Sequence, residues 1–260
     1  MITKKFLIVF SLLITIGCEK YDVVIRNGMV YDGNGLPPFL ADVAIKDDKI
    51  VLVKEKIAEK GSNEIDAKGL AVAPGFINML SWATTSLIQD GRSLSDIKQG
   101  VTLEVYGEGG SMGPLNDSMK KANQENAKGY TIDWTTLGEY LESLERRGVS
   151  TNIASFLGAT TLRIHEIGFE DRAPTENELN NMRSLVRQAM EEGALGIGSS
   201  LIYAPAFYST TEELIELCKV ASEYGGMYIS HMRSESNQLL EALDELITIA
   251  EKANIPAEIY

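Results

Sequence analysis

Thr175-Glu176-Asn177-Glu178 opens a run in which Leu179, Met182, Leu185, Val186 and Ala189 recur at helical spacing. Gly193 stops that run, and Ala194-Leu195-Gly196-Ile197-Gly198-Ser199 follows as a short apolar strand. A threonine that can accept from the amide three residues on, with a glutamate there to reach back, is a helix-start signature. The pattern returns at once. Thr210 and Glu213 repeat the spacing, Leu214, Leu217 and Ala221 carry the stripe, Gly225 ends it, and Met227–His231 reads as strand. Ser236–Ala253 is the next helix, and Pro256–Tyr260 begins another strand. Capped amphipathic helices alternating with short apolar strands predict right-handed βαβ units and a parallel sheet.

Upstream, Thr151–Leu157 reads as a strand. Thr131–Arg147 reads as a helix with Trp134, Leu137, Tyr140, Leu141 and Leu144 on its apolar face. Val101–Tyr106 and Ala71–Leu80 are two further apolar strands, which makes six, beginning near 73, 101, 152, 195, 227 and 256. No Gly-x-Gly-x-x-Gly stands between a strand and a helix, which weakens a dinucleotide-binding doubly wound sheet. The expected fold class is therefore α/β, a (β/α)8 TIM-type barrel. A full barrel takes eight strands and about 250 residues, so residues 73–260 are expected to form an incomplete one with about six strands.

Residues 20–72 have a period of two. Val23-Val24-Ile25-Arg26, Asn27-Gly28 and Met29-Val30-Tyr31 predict strand, type I′ turn and strand. Asp42–Lys46, Asp47-Asp48 and Lys49–Val53 repeat it, so a small β module is expected ahead of the barrel.

The chain has 260 residues, 44% hydrophobic and 23% charged, a globular composition that excludes a disordered chain and a polytopic membrane protein. Twenty-four basic against 37 acidic residues give −13, which argues against nucleic acid as a partner. Cys18 and Cys218 are too few for a disulfide framework and lack zinc-knuckle spacing. Lys4 and Lys5 precede an apolar run from Phe6 to Ile16 and then Gly17-Cys18. That run is far short of the roughly 20 residues that span a bilayer. It predicts a signal peptide over 1–17, and Gly17-Cys18 resembles a lipoprotein box. The expectation is export to the periplasm or cell envelope, with membrane attachment only through a lipid on Cys18.

Barrel enzymes place their chemistry at the C-terminal ends of strands. That rule selects Asn78, Leu80 and Trp82, then Glu108, then Thr160 and Thr161, then Ser199, Ser200 and Tyr203, and finally His231, Arg233 and Glu235. His231 is a candidate metal ligand or catalytic imidazole; the bland alternative is a satisfied core histidine. His165, the other histidine, reads as structural. Glu108, in Gly107-Glu108-Gly109-Gly110, could bind a divalent cation or take a proton from water, or be a solvated acidic turn. Arg233 could clamp a substrate carboxylate with two parallel hydrogen bonds, or pair with a rim carboxylate. Tyr203 could donate to a scissile carbonyl or pack the rim. The glycine-rich loop Gly107–Gly113 lacks a P-loop ending, no nucleophile elbow is present, and Cys218 lies on a helix stripe as a core residue.

Asp22-Val23-Val24-Ile25-Arg26-Asn27-Gly28 through Ala73-Pro74-Gly75-Phe76-Ile77 resembles the opening of the amidohydrolase superfamily. Within it, four segments resemble the N-acyl-D-amino-acid deacylase (D-aminoacylase) family. They are Gln99-Gly100-Val101-Thr102, Ala189–Gly196, Leu201-Ile202-Tyr203-Ala204-Pro205, and Tyr224–Arg233 with its Ser230-His231-Met232-Arg233. The resemblance implies a barrel with a small β-sandwich built partly from residues 20–72. It implies a divalent metal, zinc by expectation, and a metal-bound hydroxide attacking a carbon–nitrogen amide bond of an N-acyl amino acid. His231 matches that metal set, and Glu108 lies where the family has a bridging cysteine. The departures are large. The family's Asp-x-His-x-His reads Asn78-Met79-Leu80-Ser81-Trp82 here, and its third-strand histidine is Ala159. Neither leucine nor tryptophan can ligate zinc.

Two readings follow. One is a metal-dependent hydrolase, with His231 and Glu108 on the metal and Arg233, Tyr203 and Ser200 toward the substrate, and no catalytic acid or base yet assigned. The other is a metal-free, non-catalytic binding module at the cell envelope. Residues 18–260 alone are expected to be inactive and prone to aggregation.

Overall fold

A computed structural model describes residues 20–260; the segment read as a signal peptide, 1–17, and Cys18 lie outside the described residues. The chain divides into two compact units at the Pro74–Gly75 junction.

The first unit is one five-stranded sheet. Its strands are β1 (Tyr21–Val30), β2 (Phe39–Lys46), β3 (Lys49–Lys54), β4 (Gly61–Asp66) and β5 (Ala71–Val72). The order is β3-β2-β1-β4, and β5 also pairs with β1. β1 runs antiparallel to β2 and parallel to β4 and β5. Alternation places Tyr21, Val24 and Ala44 with Ile57 in one small core and Val30, Ala41 and Val43 in a second. The Asp47-Asp48 turn has φ of 49° and 61°, the positive values that a type I′ turn demands.

Asn27-Gly28 is a correction. It is a bulge inside the single strand β1, where the register against β2 shifts between Ile25 and Gly28. Asn27 takes φ 59°. Its amide donates to Asp42 Oδ1 at 2.9 Å, and its side chain donates to Asp66 Oδ1 at 3.0 Å. A Cβ at position 28 would strike the Val72 side chain, so glycine there leaves room for Val72 of β5 to pack over the bulge.

The second unit alternates strands and helices. In order come β6 (Phe76–Asn78), α1 (Ser86–Gln89), α2 (Leu94–Ile97), β7 (Val101–Tyr106), α3 (Asp117–Asn126), α4 (Leu137–Arg147), β8 (Asn152–Ser155), β9 (Leu157–Gly158) and α5 (Ala159–Glu166). There follow α6 (Glu176–Glu191), β10 (Gly196–Ser200), a 3-10 turn (Ala206–Tyr208), α7 (Thr211–Glu223), β11 (Met227–His231), α8 (Leu239–Ala253) and β12 (Ala257–Ile259). The strands form two wholly parallel sheets, β6-β7-β8 and β12-β11-β10-β9.

Two segments read as single strands are divided. Ala71–Leu80 breaks at Pro74-Gly75 into β5 of the first unit and β6 of the second. Thr151–Leu157 breaks at Phe156 into β8 and β9, which belong to different sheets. The helix expected over Thr131–Arg147 starts only at Leu137. Thr136 caps it, and Glu139 closes a full capping box that holds the start six residues later. Trp134 is buried ahead of that helix, its indole donating to the Met112 carbonyl at 2.7 Å.

The inner strands of the parallel sheets are covered on both faces, whereas the outermost ones, β6 and β12, are largely exposed. Tyr106, Leu157, Ile197 and Tyr228 face the helices in the large core, with Leu144, Met182, Val186, Leu214 and Leu217. On the other side, Val105 of β7, Phe156 and Ile229 of β11 form a small cluster, with Leu103, Met227 and Tyr260 packed on it. Residues from both parallel sheets thus meet in one inner cluster. Parallel strands covered on both faces are the expected outcome of βαβ winding.

Candidate functional site

Polar side chains gather where β7, β10 and β11 end. After β7 the chain bends through Gly107 (φ 103°) and Gly109 (φ 89°), with Glu108 between them. A side chain at Gly109 would strike Ser200, so the loop can lie against the end of β10 only with glycine there. Ser200 Oγ then donates to the Glu108 carbonyl at 2.7 Å. Farther along the loop, the Ser111 amide donates to Thr161 Oγ1 at 2.8 Å, and the Thr160 amide donates to the Gly109 carbonyl at 2.9 Å.

β11 ends at His231, and its imidazole Nδ1 lies 2.9 Å from Glu108 Oε1. Nε2 lies 3.3 Å from Glu235 Oε1. Tyr203 packs edge-on to the imidazole, with ring centroids 5.4 Å apart and planes at 85°. Glu108 is buried and the ring half-buried, while Glu235 reaches into solvent. An imidazole held between two carboxylates can carry a proton on either nitrogen and is fixed in direction by both. Beneath it, Ser199 Oγ donates to Ser230 Oγ at 3.0 Å and lies 2.7 Å from the Tyr228 hydroxyl.

The structure thus brings His231, Glu108, Ser200 and Tyr203 together, and it turns Arg233 elsewhere. Arg233 Nε and Nη2 donate to the two carboxylate oxygens of Glu245 on α8, both at 2.8 Å. Its remaining bonds go to the Phe207 and Ser209 carbonyls. With those donors engaged, Arg233 ties the end of β11 to α8 and the 3-10 turn. His165 lies in α5, its Nδ1 2.8 Å from Glu166 Oε1. Cys218 is fully buried, and burial alone pushes its thiol far up, which keeps it from acting as a nucleophile.

Among the described residues, no three His, Cys, Asp or Glu side chains are grouped to hold a metal ion. His231 and Glu108 are nitrogen and oxygen donors of the right kind, but a catalytic zinc site takes about three ligands from protein. Leu80 and Trp82, at the end of β6, are exposed and offer none. The residues present fit part of a metal site.

One polar group went unread in the sequence. Glu104 of β7 is fully buried, and its carboxylate accepts from Ser81 at 2.6 Å, Ser93 at 2.9 Å and Thr151 at 2.9 Å. Its signal was visible as one acidic residue in the apolar run Val101-Thr102-Leu103-Glu104-Val105-Tyr106. The Ser81 amide also donates to the Val105 carbonyl at 2.9 Å, so this carboxylate anchors the loop that carries Leu80 and Trp82.

No family model matches the chain. D-aminoacylase of Alcaligenes xylosoxydans xylosoxydans is 32% identical over 243 residues, 93% of this chain and 50% of the relative. A crystal structure of D-aminoacylase, described as defining a novel subset of amidohydrolases, superposes with a TM-score of 0.82 at 32% identity. It covers 92% of this chain and 51% of that one. The N-acyl-D-glutamate deacylase of Bordetella bronchiseptica, solved with zinc and a phosphonate mimic of the tetrahedral intermediate, gives 0.83 at 27% identity, with 92% and 51% covered. The chain spans about half the length of these relatives.

Proposed function

The chain is a homologue of the D-aminoacylases, N-acyl-D-amino-acid deacylases of the amidohydrolase superfamily, and from that premise we propose that its protein hydrolyses the amide bond of N-acyl-D-amino acids. Water adds across the carbonyl carbon and nitrogen, releasing a carboxylate and a free amine. The observation that carries this reading is the pairing of His231, at the end of β11, with Glu108, after β7, across 2.9 Å. Those strands belong to different parallel sheets, yet both groups emerge at C-terminal ends, where barrel enzymes keep their chemistry.

In this reading the two parallel sheets are arcs of one (β/α)8 barrel, which the shared inner cluster of Val105, Phe156 and Ile229 supports. Residues 20–72 are part of a separate β-sandwich. His231 and Glu108 would hold a divalent ion, zinc by the precedent of the Bordetella enzyme, together with a third ligand from outside residues 20–260. Such an ion, when bound, polarises the carbonyl as a Lewis acid. Glu108, buried and with its backbone held by Ser200, would bind the ion through one carboxylate oxygen and leave the other to take a proton from water. Tyr203 covers the imidazole and offers its hydroxyl at the rim. Export and a lipid on Cys18 remain part of this proposal on the strength of residues 1–18.

Leu80 and Trp82 favour a second reading, a metal-free binding module, because they remove two donors from the rim. Metal analysis and turnover separate the two. The hydrolase reading expects close to one equivalent of bound Zn²⁺ and release of free D-amino acid from N-acetyl-D-methionine. It also expects Glu108→Gln and His231→Asn each to lower kcat/KM at least a hundredfold, the low end for a lost acid–base group. Absence of both metal and product leaves the binding module.

A further inference from the structure

Two hollows lie on the side of α3, and Glu108 lines the nearer of them. The nearer, about 250 Å³, is lined by Ser81, Trp82, Thr84, Glu108, Met112 and Asn123. The farther, about 420 Å³, has Met112 and Asn123 as its shared wall and continues to Gln89, Asn126, Lys128 and Tyr130. Internal bonds hold these walls in place. The Trp134 indole pins the Met112 carbonyl, and the Tyr140 hydroxyl donates to the Thr84 carbonyl at 2.7 Å. Gln124 of α3 staples the loop that carries Lys128, donating to the Tyr130 carbonyl at 3.1 Å and accepting from the Ile132 amide at 2.9 Å. A site held by its own scaffold loses little freedom when a ligand enters.

We infer that these hollows form the acyl subsite of the enzyme and select an extended acyl group of peptide character that ends in an anion, received by Lys128. The inference rests on the deacylase reading above. Gln89 and Asn123 offer amide groups that donate and accept, and Asn126, whose amide donates to the Ala122 carbonyl, offers its oxygen, so a peptide-like chain finds partners here that a hydrocarbon chain cannot use. Among the described residues, Lys128 is the one cation lining either hollow. It lies in the farther hollow, so an α-carboxylate, two bonds from the scissile nitrogen, stops short of it. The long arm of the substrate is the acyl side. Arg233 offers no competing anion site there, since its donors are engaged with Glu245, Phe207 and Ser209.

The test compares N-acetyl-, N-octanoyl- and N-(succinylglycyl)-D-alanine, with N-acetyl-D-glutamate as the control for an anion on the other side of the bond. Binding is read from the fluorescence of Trp82, which lines the nearer hollow, and turnover from amine release. We expect the succinylglycyl compound to bind at least fivefold more tightly than the octanoyl one. Lys128→Ala is expected to bring that ratio near one, and Lys128→Arg to keep most of it. Equal binding of the two compounds, an unchanged ratio in Lys128→Ala, or a gain confined to N-acetyl-D-glutamate would overturn the subsite. Selective binding without amine release from any compound sinks the deacylase reading and leaves the subsite standing. Amine release without selectivity does the reverse.

Discussion

Glu104 shows how one side chain can hold a site without facing it. Its carboxylate is out of water, no cation is among its hydrogen-bond partners, and three hydroxyls from three separate segments converge on it. An ionised carboxylate only accepts, so three hydroxyl donors suit it. Glu104→Leu removes the acceptor and strands all three hydroxyls, at a cost of about 1 kcal/mol or more each, roughly 3 kcal/mol together. Glu104→Gln keeps one oxygen and puts an amide donor in place of the other, and the hydroxyls can rotate to accept from it, so about 1–2 kcal/mol is expected. Denaturant unfolding of the two variants checks the order, and a Leu variant as stable as the Gln variant would show that the hydroxyls find other partners. At this scale the sequence was half legible. His231 and Glu108 follow from the strand-end rule, and Tyr203 joins them; pairing with a carboxylate was one of the two readings of Arg233, but nothing in its spacing singled out Glu245 on the next helix.

Among the helices, the alternation of caps and stripes gave α6 and α7 almost to the residue, because each begins on a threonine cap and buries a regular face, whereas α8, read from Ser236, starts three residues later at Leu239 without a side-chain cap. The short helices α1, α2 and α5 have no such stripe, and α3 buries no residue fully, so periodicity could not find them. The cap of α7 differs from its reading for a tertiary reason. Thr210 accepts from the Glu213 amide as expected, but the Glu213 carboxylate does not reach back. It pairs at 2.7 Å with Arg163 of α5, both side chains being buried, and Arg163 also donates to the Glu170 and Arg172 carbonyls. Burial pushes the Glu213 carboxyl up, and the guanidinium opposes that shift without reversing it. Breaking such a pair leaves a buried charge unmatched, which costs about 3–5 kcal/mol, whereas replacing both partners by apolar groups can be close to neutral. Glu213→Gln is therefore expected to lower stability by roughly that amount, and Arg163→Met with Glu213→Leu to recover most of it. A double-mutant cycle by urea unfolding measures both, and a double variant as unstable as the single one would place the cost in packing and lost carbonyl contacts.

For the chain as a whole, two opposing terms decide how residues 20–260 behave in solution by themselves. β6 and β12 are outermost in their parallel sheets, and both carry exposed apolar side chains: Phe76 and Ile77 on one, Ile259 on the other. Open strand edges with apolar side chains recruit other strands. Against this stands a net charge of −13 over the full sequence, which repels copies of the chain at long range. Repulsion between surface charges fades beyond a Debye length, about 10 Å at 0.1 M salt and about 3 Å at 1 M, while edge pairing acts at hydrogen-bond distance and is hardly screened. Salt therefore removes the brake and leaves the attraction. A polypeptide limited to residues 20–260 is expected to self-associate, with the associated fraction rising between 0.05 and 0.5 M NaCl, on the order of one Debye length of extra approach. Light scattering behind size exclusion reads the mass directly. Placing lysines at both edges, Ile77→Lys with Ile259→Lys, is expected to return it toward monomer, because inserted charges are how natural edges avoid pairing. A monomer at high salt that unfolds in one cooperative transition would mean that these edges are already protected, and the case for two open arcs would fail with it.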